Sequence, residues 1–176
     1  KTDLTGVSRA EIDLLENYVI EHGIRGRAWQ QPEPWQYLRR YTLEEDAVPA
    51  GPAQQALLDQ IHRIRRRATA PLLAFQRRIQ RRGRPGPTVR EITTALFQLL
   101  DELKVGRQLE AWKAEAERKG DLETAREHEQ VWTRVLELFD QIVEGLGDLA
   151  LSPKLYLQVL SAGLDGLKLG LIPPGL

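Results

Sequence analysis

The sequence contains no cysteine. That excludes disulfides, thiolate metal ligands, iron–sulfur ligation and cysteine nucleophiles together, and it fits a reducing compartment such as the cytoplasm. Methionine is absent too. A chain that opens on Lys1 with no methionine reads as a piece of a longer polypeptide, and the apolar ending from Gly170 to Leu176 reads as a connection to further chain. No apolar run approaches the roughly 18 residues of a membrane span, and no signal peptide opens the chain. No glycine-rich phosphate loop with a following lysine and hydroxyl residue occurs, so nucleotide hydrolysis by these residues is not expected. No cofactor or metal is expected either. The last absence is local: from Arg63 to Arg84 there is no acidic residue.

What is present is globular. The 176 residues are 41% apolar and 28% charged, with a formal net charge of zero, which suits one domain spanning residues 1–176. A chain of this length buries roughly 70% of its unfolded surface. Ser8 with Glu11 forms a capping-box pattern, Ile12, Leu15, Val19 and Ile20 line one face, and Gly23 supplies a stop, predicting a helix from Arg9 to about His22. Thr88 with Glu91 repeats the pattern and predicts a helix to about Lys104. A shorter helix carries Leu109, Trp112 and Ala116. Asp121 caps the longest one, to about Glu144, with Leu122, Ala125, Trp132, Leu136, Phe139 and Val143 facing inward. Ser152 and Pro153 open a last helix over Leu155–Leu164. Convincing alternating strands are lacking. The fold class is therefore all-α, with six or seven helices joined by short turns.

Between these lies the least ordinary stretch. Nine arginines (Arg63, Arg65, Arg66, Arg67, Arg77, Arg78, Arg81, Arg82 and Arg84) stand without an acid among them, while Leu57, Ile61, Ile64 and Ala68 recur at helical spacing. Pro71 either divides two helices or kinks one, with Leu72, Phe75 and Ile79 as the second apolar stripe. Gly83–Pro87 is a break. The offsetting acid lies further on: thirteen acidic against seven basic residues from Asp101 to Asp148. The aromatic segment from Ile24 to Gly51, holding Trp29, Trp35, Tyr37 and Tyr41, reads as a clamp over the core, with a base-stacking platform as the sharper alternative.

Other chemistry is thin. His22, His62 and His128 fall on separate segments with no paired ligand. Glu102–Lys104 and Glu117–Lys119 spell the acid-x-lysine fragment of many nucleases, but on helices residues two apart point roughly 200° apart. Asp101 with Glu102, and Glu127 with Glu129, read as solvated helix faces.

Three segments carry a resemblance. Lys1–Leu4 with Ile12–Val19 and Gly23–Gly26, the middle with Pro71–Leu72 and Val131–Trp132, and Tyr156–Leu160 with Gly163–Leu164 and Gly170–Pro174 are together similar to the AddB family, the B subunits of bacterial helicase–deoxyribonucleases. Gly175 departs from the alanine expected after the two prolines. The resemblance implies a superfamily 1-like subunit with two motor-like domains, each interrupted by an insertion. Such a subunit works with an AddA-like helicase–nuclease that supplies ATP hydrolysis, in resection of double-strand breaks for recombinational repair. The family's nuclease and iron–sulfur cluster lie outside this stretch, and no residue here matches their motifs. The chain would be a non-catalytic all-α insertion of the second motor-like domain, termed 2B.

Two roles follow. In the first, Arg63, Arg66, Arg67, Arg77, Arg78, Arg81, Arg82 and Arg84 contact backbone phosphates of double-stranded DNA, a task suited to the planar guanidinium fork. About four such contacts would give log affinity a slope near −3.6 against log salt. In the second, the domain docks on the parent or partner subunit and touches no DNA.

Overall fold

A computed structural model of the chain describes residues 4, 6–37, 51–80 and 86–167. Among them the chain is all-α, as expected: α1 (Arg9–Glu21), a 3₁₀ segment (Gly26–Gln30), α2 (Pro52–Ile79), α3 (Val89–Glu102), α4 (Val105–Arg118), α5 (Leu122–Leu146) and α6 (Pro153–Asp165). They belong to two compact units, the first running to Leu73 and the second starting at Ala74, so that α2 contributes to both.

The first unit begins with the predicted capping box. The Glu11 amide donates to Ser8 Oγ at 3.3 Å and the Ser8 amide to the Glu11 carboxylate at 2.9 Å, satisfying two amides the first turn would otherwise leave unpaired. At the other end Gly23 takes φ +60°, a left-handed conformation that costs glycine little, and the Ile24 amide turns back to the Val19 carbonyl at 3.0 Å. The core gathers Val7, Leu15, Tyr18, Ile24, Trp35, Leu58, Ile61 and Ile64, each buried isoleucine or leucine contributing about 1.5–3 kcal/mol.

Helix α2 decides one open alternative and corrects one expectation. It runs through Pro71 as one helix, leaving the Arg67 carbonyl without the amide donor that residue 71 would otherwise supply. Its buried stripe is Leu58, Ile61, Ile64 and Arg65, whereas Leu57 is 39% exposed and Leu72 52% exposed. Ile61 and Ile64 serve either stripe; what rotates the buried arc towards Leu58 is the inward turn of Arg65.

The second unit is organised by the start of α3. Thr88 and Glu91 form the predicted box, and the next amides are satisfied by the connection before α6: Val89 to the Leu149 carbonyl at 2.8 Å and Arg90 to that of Gly147 at 3.0 Å. Val89, Ile92, Leu138, Ile142 and Tyr156 form the core, with Ile79, Leu96 and Leu160 packed on it. Tyr156 and Thr93 share a buried hydroxyl pair at 2.9 Å, Thr93 Oγ1 also donating to the Val89 carbonyl. The break between α3 and α4 falls on Lys104, which takes φ 55°. On α5 the buried residues are Ala125, Leu138, Phe139 and Ile142, while Leu122, expected on the inward face, is 59% exposed at the first turn.

Candidate nucleic-acid interface

Arginine faces in two directions on α2. Arg65 is 1% exposed. Its Nη2 donates to the carbonyls of Gln31 at 2.9 Å and Glu33 at 2.8 Å and meets His62 Nδ1 at 3.1 Å. The guanidinium carbon sits 4.4 Å from the centre of the Trp35 ring, a cation–π arrangement in a dry setting. Trp35 in turn stacks near Tyr18, meets Trp29 edge to face, and donates from Nε1 to the Ala28 carbonyl. The aromatic segment up to Tyr37 is therefore the clamp, with Arg65 as its fastening; Tyr41 lies outside the described residues. Trp35 is buried and offers no ring face to a base.

Because arginine only donates, the short contact makes His62 Nδ1 an acceptor and places the ring proton on Nε2. Burial lowers the affinity of this histidine for a second proton, and the charges of Arg65 and Arg66 lower it further, below the usual 6.5. The unfolded chain then binds the proton first as pH falls. The contribution to stability is complete above pH 6.5 and is lost as pH drops from there through the depressed folded value. His62→Asn keeps an acceptor near the Nδ1 position and cannot titrate. Urea unfolding at pH 7.5 and pH 5 should show a smaller loss of stability on acidification in the variant than in the wild type.

The remaining arginines point outward. Arg63, Arg66 and Arg67 are exposed on consecutive turns of the first unit's part of α2, and Arg77 and Arg78 are exposed on its last turn, in the second unit. Arg67 is engaged, donating to Glu11 at 2.8 Å and to the Gly6 carbonyl at 2.6 Å. Hydrogen bonds from Ser8 hold the Glu11 carboxyl below its usual range, and Arg67 adds to that. Arg78 is engaged with Glu102. Among the described residues, no carboxylate forms an ion pair with Arg63, Arg66 or Arg77. Arg81, Arg82 and Arg84 lie outside the described residues. Residues three or four apart on a helix are neighbours, so Arg63 stands beside both Arg66 and Arg67 at like-charge spacing, at a cost of about 0.2–0.5 kcal/mol per pair.

The acidic stretch is occupied by its own neighbours. Glu115 pairs with Arg118 and Lys119, Glu129 with Lys113, and Glu137 with Arg134. Among the described residues no group of three or more histidine, cysteine or acidic side chains is placed to hold a metal ion. His22 lies against Tyr18 and Tyr37, and His128 against Trp112. No helix of the described residues is long and apolar enough to cross a membrane.

Neither the inward turn of Arg65 nor the division of the arginines into paired and unpaired is visible in the sequence. The partners of Arg67 and Arg78 stand 56 and 24 positions away in the chain. The nearest signal for Arg65 was the tryptophan-rich segment with no helical period, which needs something to hold it down.

No family model matches the chain. Over all 176 residues it is 94% identical to the B subunit of the ATP-dependent helicase/deoxyribonuclease of Symbiobacterium thermophilum. Over its full length it is also 51% identical to the corresponding protein of Desulforudis audaxviator and 52% identical to that of Pelotomaculum thermopropionicum. In each case the chain spans about 15% of the relative's length. The resemblance carried by those three segments thus extends over the whole chain.

Proposed function

We propose that this chain is a non-catalytic helical segment of the B subunit of a bacterial ATP-dependent helicase/deoxyribonuclease, acting in double-strand break resection and recombinational repair. Identity of 94% over the full chain supports the parent; the all-α architecture agrees with a 2B-type insertion in the second motor-like domain. In the cytoplasm its partners are the rest of the parent polypeptide, an AddA-like helicase–nuclease, and duplex DNA.

The observation that carries DNA contact is the set Arg63, Arg66 and Arg77, exposed and without ion partners among the described residues, while the carboxylates Glu102, Glu115, Glu129 and Glu137 are held by other basic side chains. Mutual repulsion at Arg63 and Arg66 is relieved when a phosphate lies between them. Such contacts position a duplex without reading its sequence. Binding to duplexes of unrelated sequence should be alike, and three phosphate contacts give log affinity a slope of about −2.7 against log salt. A salt titration of duplex binding tests this. An affinity that does not change with salt, or no binding at low salt, contradicts it. The alternative, a scaffold that touches only protein, is favoured at Arg67 and Arg78, whose guanidinium groups are spent on Glu11 and Glu102.

A further inference from the structure

Helix α6 is apolar on more of its circumference than its own unit covers. Tyr156, Val159, Leu160, Gly163 and Leu167 turn inward or sit half-buried, and the glycine lets the helix approach α5 closely, since a Cβ there would stand 2.5 Å from Leu138 Cδ1. The opposite side holds Leu155 at 45%, Leu157 at 60% and Leu164 at 43% exposure. Between Lys154 and Asp165 the helix carries no charge at all. Leu157, Ser161 and Leu164 fall at i, i+4 and i+7 and make one continuous strip. A solvated helix places charge on its outer face, as α5 does with Arg126, Glu127, Arg134 and Glu137. Of the exposed residues between Leu155 and Leu164, Gln158 and Ser161 are polar and uncharged, while Leu155, Leu157, Ala162 and Leu164 are apolar. Beside the C-terminal end of α6, Arg134, Glu137, Leu138, Gln141, Gly166 and Leu167 line a recess of about 290 Å³.

We infer that the Leu157–Ser161–Leu164 strip of α6 is an intramolecular interface, covered by an apolar surface from the remainder of the same parent polypeptide. The inference rests on the reading of the chain as a segment of a helicase/deoxyribonuclease B subunit. The occupant follows from length: the chain spans 15% of the Symbiobacterium thermophilum relative, so most of such a polypeptide lies beyond it and is available to cover α6. A partner that dissociates would leave two leucines in water on an uncharged strip whenever the parent is alone; a surface of the same polypeptide keeps them covered from folding onward.

Carbene footprinting of the full-length parent protein tests this without any substitution. Leu157 and Leu164 should be labelled at least fivefold less than the accessible leucines of the same digest, in the parent alone and at every protein concentration. Labelling as strong as that of accessible leucines overturns the inference. So does protection that appears only on adding the AddA-like partner, or only as concentration rises, since those results assign the strip to the partner or to a second copy. None of these outcomes bears on duplex binding, so the arginine reading stands or falls separately.

Discussion

Arg65→Ala is expected to destabilise the N-terminal unit by about 3 kcal/mol, near the upper end for a single substitution. The substitution removes two charge-assisted hydrogen bonds, to the carbonyls of Gln31 and Glu33, each worth about 1.5–3 kcal/mol, and leaves both acceptors without their donor. It also uncovers the face of Trp35, which holds the guanidinium at 4.4 Å. One effect works the other way. Arg65 Nη1 is buried without a partner, and burial lowers the proton affinity of the guanidinium, so part of the native arrangement is a cost that the variant no longer bears. The hydrogen bonds outweigh it because they fasten a segment that has no α-helix or strand ladder of its own. Arg65→Met, which keeps the stem without the charge, should lose about 1 kcal/mol less than alanine, by preserving the contact with Trp35. Arg65→Lys should not rescue, since a point charge cannot lie flat on the ring and reach both carbonyls. Urea unfolding gives the free energies, and protease cleavage between residues 24 and 37 should accelerate in step. A loss under about 1 kcal/mol for the alanine variant, the size of an ordinary substitution, would mean that the clamp holds without its fastening.

The second large effect is at Leu138, where α5 and α6 meet. Leu138→Ala should cost about 3 kcal/mol, since the side chain is buried among Val89, Ile92, Ile142 and Tyr156 and leaves a cavity behind. Gly163→Ala alone should destabilise by about 1–2 kcal/mol. Its Cβ would lie 2.5 Å from Leu138 Cδ1, 3.2 Å from Cδ2 and 3.3 Å from Cγ, so the whole side chain must move rather than its tip. That overpacking exceeds the gain of about 1 kcal/mol from replacing glycine inside a helix. The two substitutions together should then cost less than Leu138→Ala alone: the cavity accepts the new methyl and the helix keeps its gain in propensity. A double-mutant cycle that proves additive would show that α6 yields freely at this contact.

Much of the fold was legible because it is written locally. Ser8 with Glu11, Thr88 with Glu91, Asp121, and Ser152 before Pro153 each satisfy amides within three residues, so the type of residue and its spacing suffice. Where a choice depended on distant residues, the sequence could not decide. Leu57 and Leu58 are equally good neighbours for Ile61 and Ile64; the carbonyls of Gln31 and Glu33, more than thirty positions away from Arg65, settle which one is buried. Lys104 gives no warning of a left-handed turn that glycine would have announced. Leu122 sits on the apolar side by period yet is 59% exposed, because periodicity gives a direction and says nothing about whether a neighbour is there to cover it. The candidate interface divides in the same way. That α2 is arginine-rich is plain from composition. That Arg67 and Arg78 are taken by Glu11 and Glu102, and that Arg63, Arg66 and Arg77 have no ion partner among the described residues, depends on long-range packing.

The most direct measurement is duplex-end binding by the complete two-protein complex carrying Arg63→Glu, Arg66→Glu and Arg77→Glu together, followed across a series of salt concentrations. Arg118→Glu serves as the control, an exposed arginine already paired with Glu115. Weaker binding is expected for the triple variant, with a salt slope shallower by about 2.7 and the control unchanged. Affinity and slope equal to those of the unmodified complex would contradict it and assign the arginine face to protein alone.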